Sequence, residues 1–221
     1  QQMDCIESLV DRIPFGNKTL FLVDQTDGEK TLKHFKNYAK YLVMDADLLN
    51  LKRTTKKQSM DIILEECRFQ LTFSMNYWKV LVVRFGNSMT DFKNTFCDEV
   101  CSTLPTHEKS NPLQRTSYLP RGFMMQSGEH LKEEAQVRAL FRRDDIVEML
   151  DEEDEEVDFA EIVPVCHPDF KIILTTSMPY EKLSDFHFHA KYGLPEGRSH
   201  FQIVLFTIGE DGTGTVKGVE E

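Results

Sequence analysis

Short, almost wholly apolar runs, each ended by a polar residue, alternate along this chain with segments of helical spacing. Thr19 to Val23 stops at Asp24, Val80 to Val83 stops at Arg84, and Ile172 to Leu174 stops at Thr175 and Thr176. Runs of this length without polar alternation fit strands buried on both faces of a parallel sheet, and such strands need helical crossovers between them. Tyr41 to Met44 and Phe201 to Ile208 read as two further strands. The expected fold class is α/β, a mostly parallel sheet flanked by helices.

Helical spacing appears where crossovers are needed. Ile6, Leu9, Val10 and Ile13 give a helix within residues 1–16, stopped by Pro14 and Gly16. Leu32, Phe35 and Tyr38 form one face of a helix from Leu32 to Tyr41. Ser59 stands as N-cap before Ile62, Ile63 and Glu66 in a helix reaching Phe69, and residues 71–78 lead from it into the strand at Val80. Phe92, Phe96, Val100 and Leu104 predict a helix over Asp91 to Thr103. The segment Asp45 to Lys57, with Lys52, Arg53, Lys56 and Lys57, reads as a polar connection whose cations face solvent.

The pattern dissolves between Pro105 and Gln126, where Pro105, Pro112, Pro120 and Gly122 mark an irregular loop. Glu129 to Leu150 is polar with helical propensity, and Asp151 to Asp158 is a block of acids interrupted only by Val157. Such a block repels itself, so residues 144–158 are expected to be acidic and mobile. Tyr180 to Arg198 is turn-rich. The domain organisation expected is an N-terminal helix and linker over 1–16, one α/β domain over 17–208 with an insertion at 105–158, and a flexible tail over 209–221.

A chain of 221 residues can bury one good core, so one domain is expected. The net charge of −11 disfavours direct attraction to nucleic acid or to anionic lipid. No apolar run approaches the roughly 20 residues needed to span a bilayer, and the chain reads as intracellular. Five cysteines at irregular spacing read as reduced thiols. A chain opening on Gln1 and closing on Glu220 and Glu221 reads as a fragment of something longer.

The first strand-to-helix loop, Asp24 to Thr31, has the register of a P-loop. That motif uses glycines so that backbone N–H groups close on phosphates, a lysine for the β- and γ-phosphates, and a hydroxyl for Mg²⁺. Lys30 and Thr31 are in place, but Asp24 and Glu29 stand where the glycines belong, with Asp27 between them. Carboxylates facing a triphosphate repel it, so the loop is a degenerate P-loop, expected to be inactive; the same Asp24, Asp27 and Glu29 also read as an ordinary acidic helix N-terminus that complements the macrodipole. Hydrolysis also needs carboxylates at the end of a second strand, to hold Mg²⁺ and polarise water; Val83 and Arg84 stand there. Thr175 and Thr176 are candidates for polar, sensor-like contacts to a nucleotide. No catalytic residue, no metal site and no cofactor are expected, with ATP at Lys30 and Thr31 as the alternative.

Cys97 and Cys101 lie one helical turn apart, but core cysteines explain them better than zinc, with or without Cys166, His167 and His107. Asp185, His187 and His189 alternate as on one strand face, with Phe186 and Phe188 on the other.

Taken together these residues resemble the fifth AAA module of dynein heavy chains. Leu22-Val23-Asp24-Gln25 followed by His34-Phe35-Lys36-Asn37 is similar to that family's strand, turn and Trp-Ile-Lys-Asn helix. His167 to Pro179 looks like its His-Pro-Asp-Phe-Arg-Leu and Thr-Thr-Lys-x-Pro segment, and Ile203 to Ile208 like its closing strand. The likeness runs over residues 17–208, with 167–179 its specific part. This chain lacks the family's proline after Asp24, carries Pro179-Tyr180 for its Asn-Pro, and has Val83 for its glutamate, which points to a divergent member of the dynein heavy chain domain-containing kind. The resemblance implies a non-hydrolysing AAA module that relays motion within the ring of a microtubule motor. It implies partners among neighbouring AAA modules or dynein complex subunits, contact with microtubules only through them, and a place on the cytoskeleton of the cytoplasm, cilium or axoneme. A soluble interaction domain using its acidic block on a basic partner is the other alternative.

Overall fold

The computed structural model describes residues 3–12, 18–77, 79–89, 91, 95–98, 119–120, 170–188, 194 and 198–219. The expectations for 105–118, 121–169, Cys101, Cys166, His167 and His189 lie outside them. No helix among the described residues is long and apolar enough to cross a membrane.

Helix α1 (Asp4–Arg12) precedes strand β1 (Thr19–Asp24), which leads through the degenerate loop into α2 (Lys30–Asn37) and β2 (Tyr41–Asp45). Helices α3 (Ala46–Thr54) and α4 (Met60–Asn76) follow, then β3 (Val80–Arg84). Two-residue strands β4 (Cys97–Asp98) and β5 (Leu119–Pro120) pair with each other, and β6 (Lys171–Thr176), β7 (Phe201–Ile208) and β8 (Gly214–Gly218) complete the chain. The main sheet has six strands in the order β2-β3-β6-β1-β7-β8, parallel except for β8.

The strands behave as their apolar runs predict. Every β1 residue is buried, with Leu20 and Leu22 on the face covered by α1 and α2 and Phe21 and Val23 on the face covered by α3 and α4. Val82, Ile173 and Val204 join the first face; Val83, Leu174 and Ile203 join the second. Full burial of each such side chain contributes about 1.5–3 kcal/mol, so two opposed apolar layers pin the register. Phe21, Phe188 and Phe201 meet edge to face or tilted at centroid separations of 5.6, 6.1 and 5.7 Å, which ties the turn after β6 to the sheet.

Several expectations need correction. Asp45 to Lys57 is no mere polar connection: Asp45 accepts a hydrogen bond from the Leu48 amide at 3.1 Å, caps α3, and lets Ala46 and Leu49 reach the core. Helix α2 stops at Asn37 because Tyr38 turns to an extended conformation and accepts the Tyr41 amide hydrogen, which starts β2. Helix α4 runs past Phe69 because Leu71 and Met75 continue its buried face, while the Thr72 and Ser74 hydroxyls are satisfied on the Arg68 and Gln70 carbonyls at 3.2 and 2.8 Å. Ser59 sits at its N-cap but makes no side-chain capping bond.

Of the helix expected over Asp91 to Thr103, Thr95 and Phe96 are helical, whereas Cys97 and Asp98 are strand. Asp185 to Phe188 forms a 3-10 turn, which removes the alternating strand face drawn through Asp185 and His187. The tail over 209–221 is not wholly flexible either. Gly209 to Thr213 closes a hairpin in which Asp211 accepts hydrogen bonds from the Thr213 amide and hydroxyl at 2.9 and 2.8 Å, and β8 then pairs antiparallel with β7.

Candidate functional site

The site lies where β1 and β6 end side by side. The connection leaving β1 passes over the α1/α2 face toward the β2 edge, and the one leaving β6 passes over the opposite face to reach β7. Divergence of adjacent connections opens a crevice at the carboxyl ends of the strands, where ligands bind in open α/β sheets.

Here the chain fills that crevice with its own charges. The Asp24 carboxylate is 3 % exposed and accepts four hydrogen bonds: from the Thr26 amide (2.8 Å) and hydroxyl (2.5 Å), and from the Thr31 amide (2.9 Å) and hydroxyl (2.6 Å). A helix N-terminus attracts an anion through its free amides and its dipole. Asp24 is that anion, built into the chain. Thr31, 1 % exposed, therefore spends both its amide and its hydroxyl inside the protein.

Glu29 caps the sequence of turns before α2. Its φ of 50°, following Gly28 at 75°, puts two successive residues in left-handed conformation, which costs a non-glycine residue roughly 1–2 kcal/mol. The compensation comes from Arg84 at the end of β3. Its Nη2 donates to both Glu29 oxygens at 2.8 and 2.9 Å, and its Nη1 to both Asp45 oxygens at 2.9 and 3.1 Å, with Asp47 3.8 Å away. One guanidinium thus fastens the loops that follow β1, β2 and β3.

Burial alone would raise the Glu29 carboxyl, but hydrogen bonds from Arg84 and Ser177 outweigh it and hold the group below the usual carboxylate range. Burial opposes the Arg84 charge as well, and its carboxylate partners outweigh that and raise its pKa. Ser177 Oγ lies 2.6 Å from Glu29 Oε1 and 2.5 Å from Asn87 Oδ1. One hydroxyl proton cannot serve two acceptors, and a half-turn of the Asn87 amide supplies the missing donor. Gly86, at φ 54°, leaves room for this cluster: a Cβ there would meet Asp47 Oδ2 at 1.8 Å.

The two threonines after β6 are brought to the same place. Thr176 donates to the Gly86 carbonyl at 2.6 Å and accepts from the Met178 amide at 3.1 Å, so it joins the β3 and β6 loops. Thr175 is buried, and its carbonyl accepts the Phe85 amide hydrogen at 2.9 Å. Lys30 is half-buried, and its ammonium takes no carboxylate partner among the described residues.

Asp24, Glu29, Thr31, Leu32, Arg84, Thr175, Thr176 and Ser177 line a cleft that their own side chains fill, with a cavity volume of about 0 Å³. Ligand pockets run to roughly 300–1,000 Å³. The cleft is too small for a nucleotide unless the Glu29 and Arg84 side chains part. Among the described residues, no group of three or more His, Cys, Asp or Glu side chains is arranged to hold a metal ion. Cys67 is buried, and burial pushes its thiol up to about 12, away from nucleophilic use.

A second polar cluster lies on the other face, and sequence reasoning did not anticipate it. Glu7 of α1 accepts from Tyr41 Oη at 2.8 Å, lies 2.6 Å from His34 Nε2, and pairs with Lys40. Burial opposes its ionisation, and the bonds from Lys40, His34 and Tyr41 outweigh it and lower its pKa. Lys171 Nζ donates to the Val10 carbonyl at 2.8 Å, near the end of the same helix. The legible signal was Glu7 directly after the apolar Ile6 and one turn before Val10; its partners are too distant in sequence to read.

No family model, curated protein or solved structure matches this chain.

Proposed function

We propose that the chain is a non-hydrolysing AAA-type module of a dynein-heavy-chain-like protein, which packs against neighbouring modules and relays their motion. The observation that carries this reading is the Asp24 carboxylate on the α2 N-terminus, with Glu29 clamped on Arg84 beside it. A nucleotide-using module needs that N-terminus, that hydroxyl and carboxylates free for Mg²⁺. The first two are committed to Asp24, and Val83 and Arg84 stand at the strand end where the Mg²⁺ carboxylates would be. The mostly parallel six-stranded sheet and the strand-loop-helix setting of the loop are compatible with a P-loop-like fold and support the AAA assignment. The resemblance carried by residues 167–179 supports the dynein part. In that setting the module works on the cytoskeleton, in the cytoplasm or an axoneme, and reaches microtubules through the rest of the motor.

A ring module purified alone leaves bare the surface its neighbours cover. Leu48, Leu51, Ile62, Phe69 and Tyr77 are each about half exposed, more large apolar surface than one side chain standing alone. Light scattering of the isolated chain is expected to show self-association that a longer polypeptide carrying the flanking modules lacks. A monodisperse monomer at high concentration counts against a ring module. The uncommitted Lys30 ammonium favours a second reading, weak regulatory nucleotide binding without turnover.

A further inference from the structure

Helix α3 and the start of α4 carry a surface that nothing in the nucleotide cleft explains. Lys52 Nζ binds both oxygens of Glu66, at 2.8 and 2.6 Å, and so joins the two helices. Leu48 lies one turn before Lys52 on α3, and Ile62 and Phe69 lie one turn to either side of Glu66 on α4. Residues three or four apart share a helix face. The ion pair therefore sits inside a ridge of half-exposed apolar side chains, Leu48, Leu51, Ile62 and Phe69.

The edge of that ridge is cationic. Arg53, Lys56 and Lys57 follow at the carboxyl end of α3, all exposed, and none takes a carboxylate among the described residues. The Arg53 guanidinium donates to the Asn50 side chain, and exposed Lys56 takes a left-handed conformation at φ 52°. Cations at a helix C-terminus complement its dipole, and that interaction leaves them able to meet a carboxylate from outside. Three cations with no carboxylate partner among the described residues, beside exposed leucines, stand out in a chain of net charge −11.

We infer that this face docks an amphipathic helix of a neighbouring polypeptide, with an apolar stripe that meets Leu48, Leu51 and Ile62 and carboxylates that meet Arg53, Lys56 and Lys57. The inference rests on the module reading above and names the chemistry of one neighbour. Charge complementarity with the three cations selects an acidic partner, and the half-exposed apolar ridge beside them selects one that also presents an apolar stripe. A helix that docks on such a surface presents its apolar face through anchors at i, i+3 and i+4.

The test uses the whole chain and two fluorescein-labelled synthetic helices, one with leucines on one stripe and glutamates elsewhere, the other with lysines in place of the glutamates. The leucine–glutamate helix is expected to bind saturably by fluorescence anisotropy, to weaken about tenfold in the Lys56→Glu/Lys57→Glu variant, and to dissociate near 1 M salt, where the Debye length is about 3 Å. A Leu51→Ser variant is expected to weaken binding with the salt response kept. Circular dichroism checks that these exposed substitutions leave the fold intact. Equal affinity for both helices, or affinity unchanged by Lys56→Glu/Lys57→Glu, overturns the proposal. So does binding to phosphatidylserine vesicles through the same cations with none to the acidic helix. Nucleotide binding or a monodisperse monomer would count against the module reading and leave the peptide result standing on its own.

Discussion

Arg84 is the residue on which the cleft depends, and its role could not be read from the sequence. There it registers only as a cation where a carboxylate belongs, because its partner Glu29 lies 55 positions away and Asp45 lies 39 away. Replacing it by alanine leaves Glu29, Asp45 and Asp47 facing one another without a counterion. Hydrogen bonds to charged groups contribute about 1.5–3 kcal/mol each, and partial exposure screens this pair, so Arg84→Ala is expected to lower unfolding stability by about 2 kcal/mol. A chemical denaturation curve checks it; a loss under about 0.5 kcal/mol, the range of ordinary surface substitutions, would show that the clamp contributes little. Gly86→Ala tests the same cluster sterically, since its Cβ would displace Asp47 from the 3.0 Å bond it accepts from Ser88. The Asp24 side chain was legible as a departure from the P-loop pattern. Its bonds to Thr31 were not, and they turn a carboxylate expected to face a ligand into one that replaces it.

At the scale of elements, strands buried on both faces were readable from uninterrupted apolar runs, whereas α3 and β8 were not. Helix α3 hides behind its four cations, although Asp45 three residues before Leu48 is an N-cap signal. Strand β8 hides behind glycines at both its ends, although Gly209-Glu-Asp-Gly212 beside an apolar run is a hairpin signal. Helix α1 is held by Ile6 and Val10 in the core and by Glu7 on His34, Lys40 and Tyr41. Ile6→Ala is expected to cost about 2–4 kcal/mol and to raise hydrogen exchange first at the α1 amides; exchange spread evenly over the sheet would contradict local docking. Glu7 and Glu29 both have folded pKa values below the ordinary 4.5. Depressed carboxylates contribute stability that is fully present above the unfolded value and is lost as pH falls through the folded one. The melting temperature is therefore expected to hold down to about pH 5 and fall below it, less steeply in a Glu7→Gln/Glu29→Gln variant. An identical acid profile in that variant would assign the loss to other groups.

Across the whole molecule the parts describe an α/β sheet whose ligand end is occupied from within. An anion sits on the α2 N-terminus, an ion pair crosses the mouth, and the hydroxyls of Thr31 and Thr176 are bonded to the chain. Positional likeness to a nucleotide site survives, because the strand-to-helix loop and Lys30 remain. The Thr31 hydroxyl and amide, which the motif register assigns to a ligand, are bonded to Asp24 instead. The most direct test is a calorimetric titration of Mg-ATP into the wild-type chain and into Lys30→Ala. The account predicts no saturable heat from either protein. Saturable binding to the wild type that Lys30→Ala abolishes would contradict it, and would mean that the Glu29–Arg84 pair opens to admit a nucleotide.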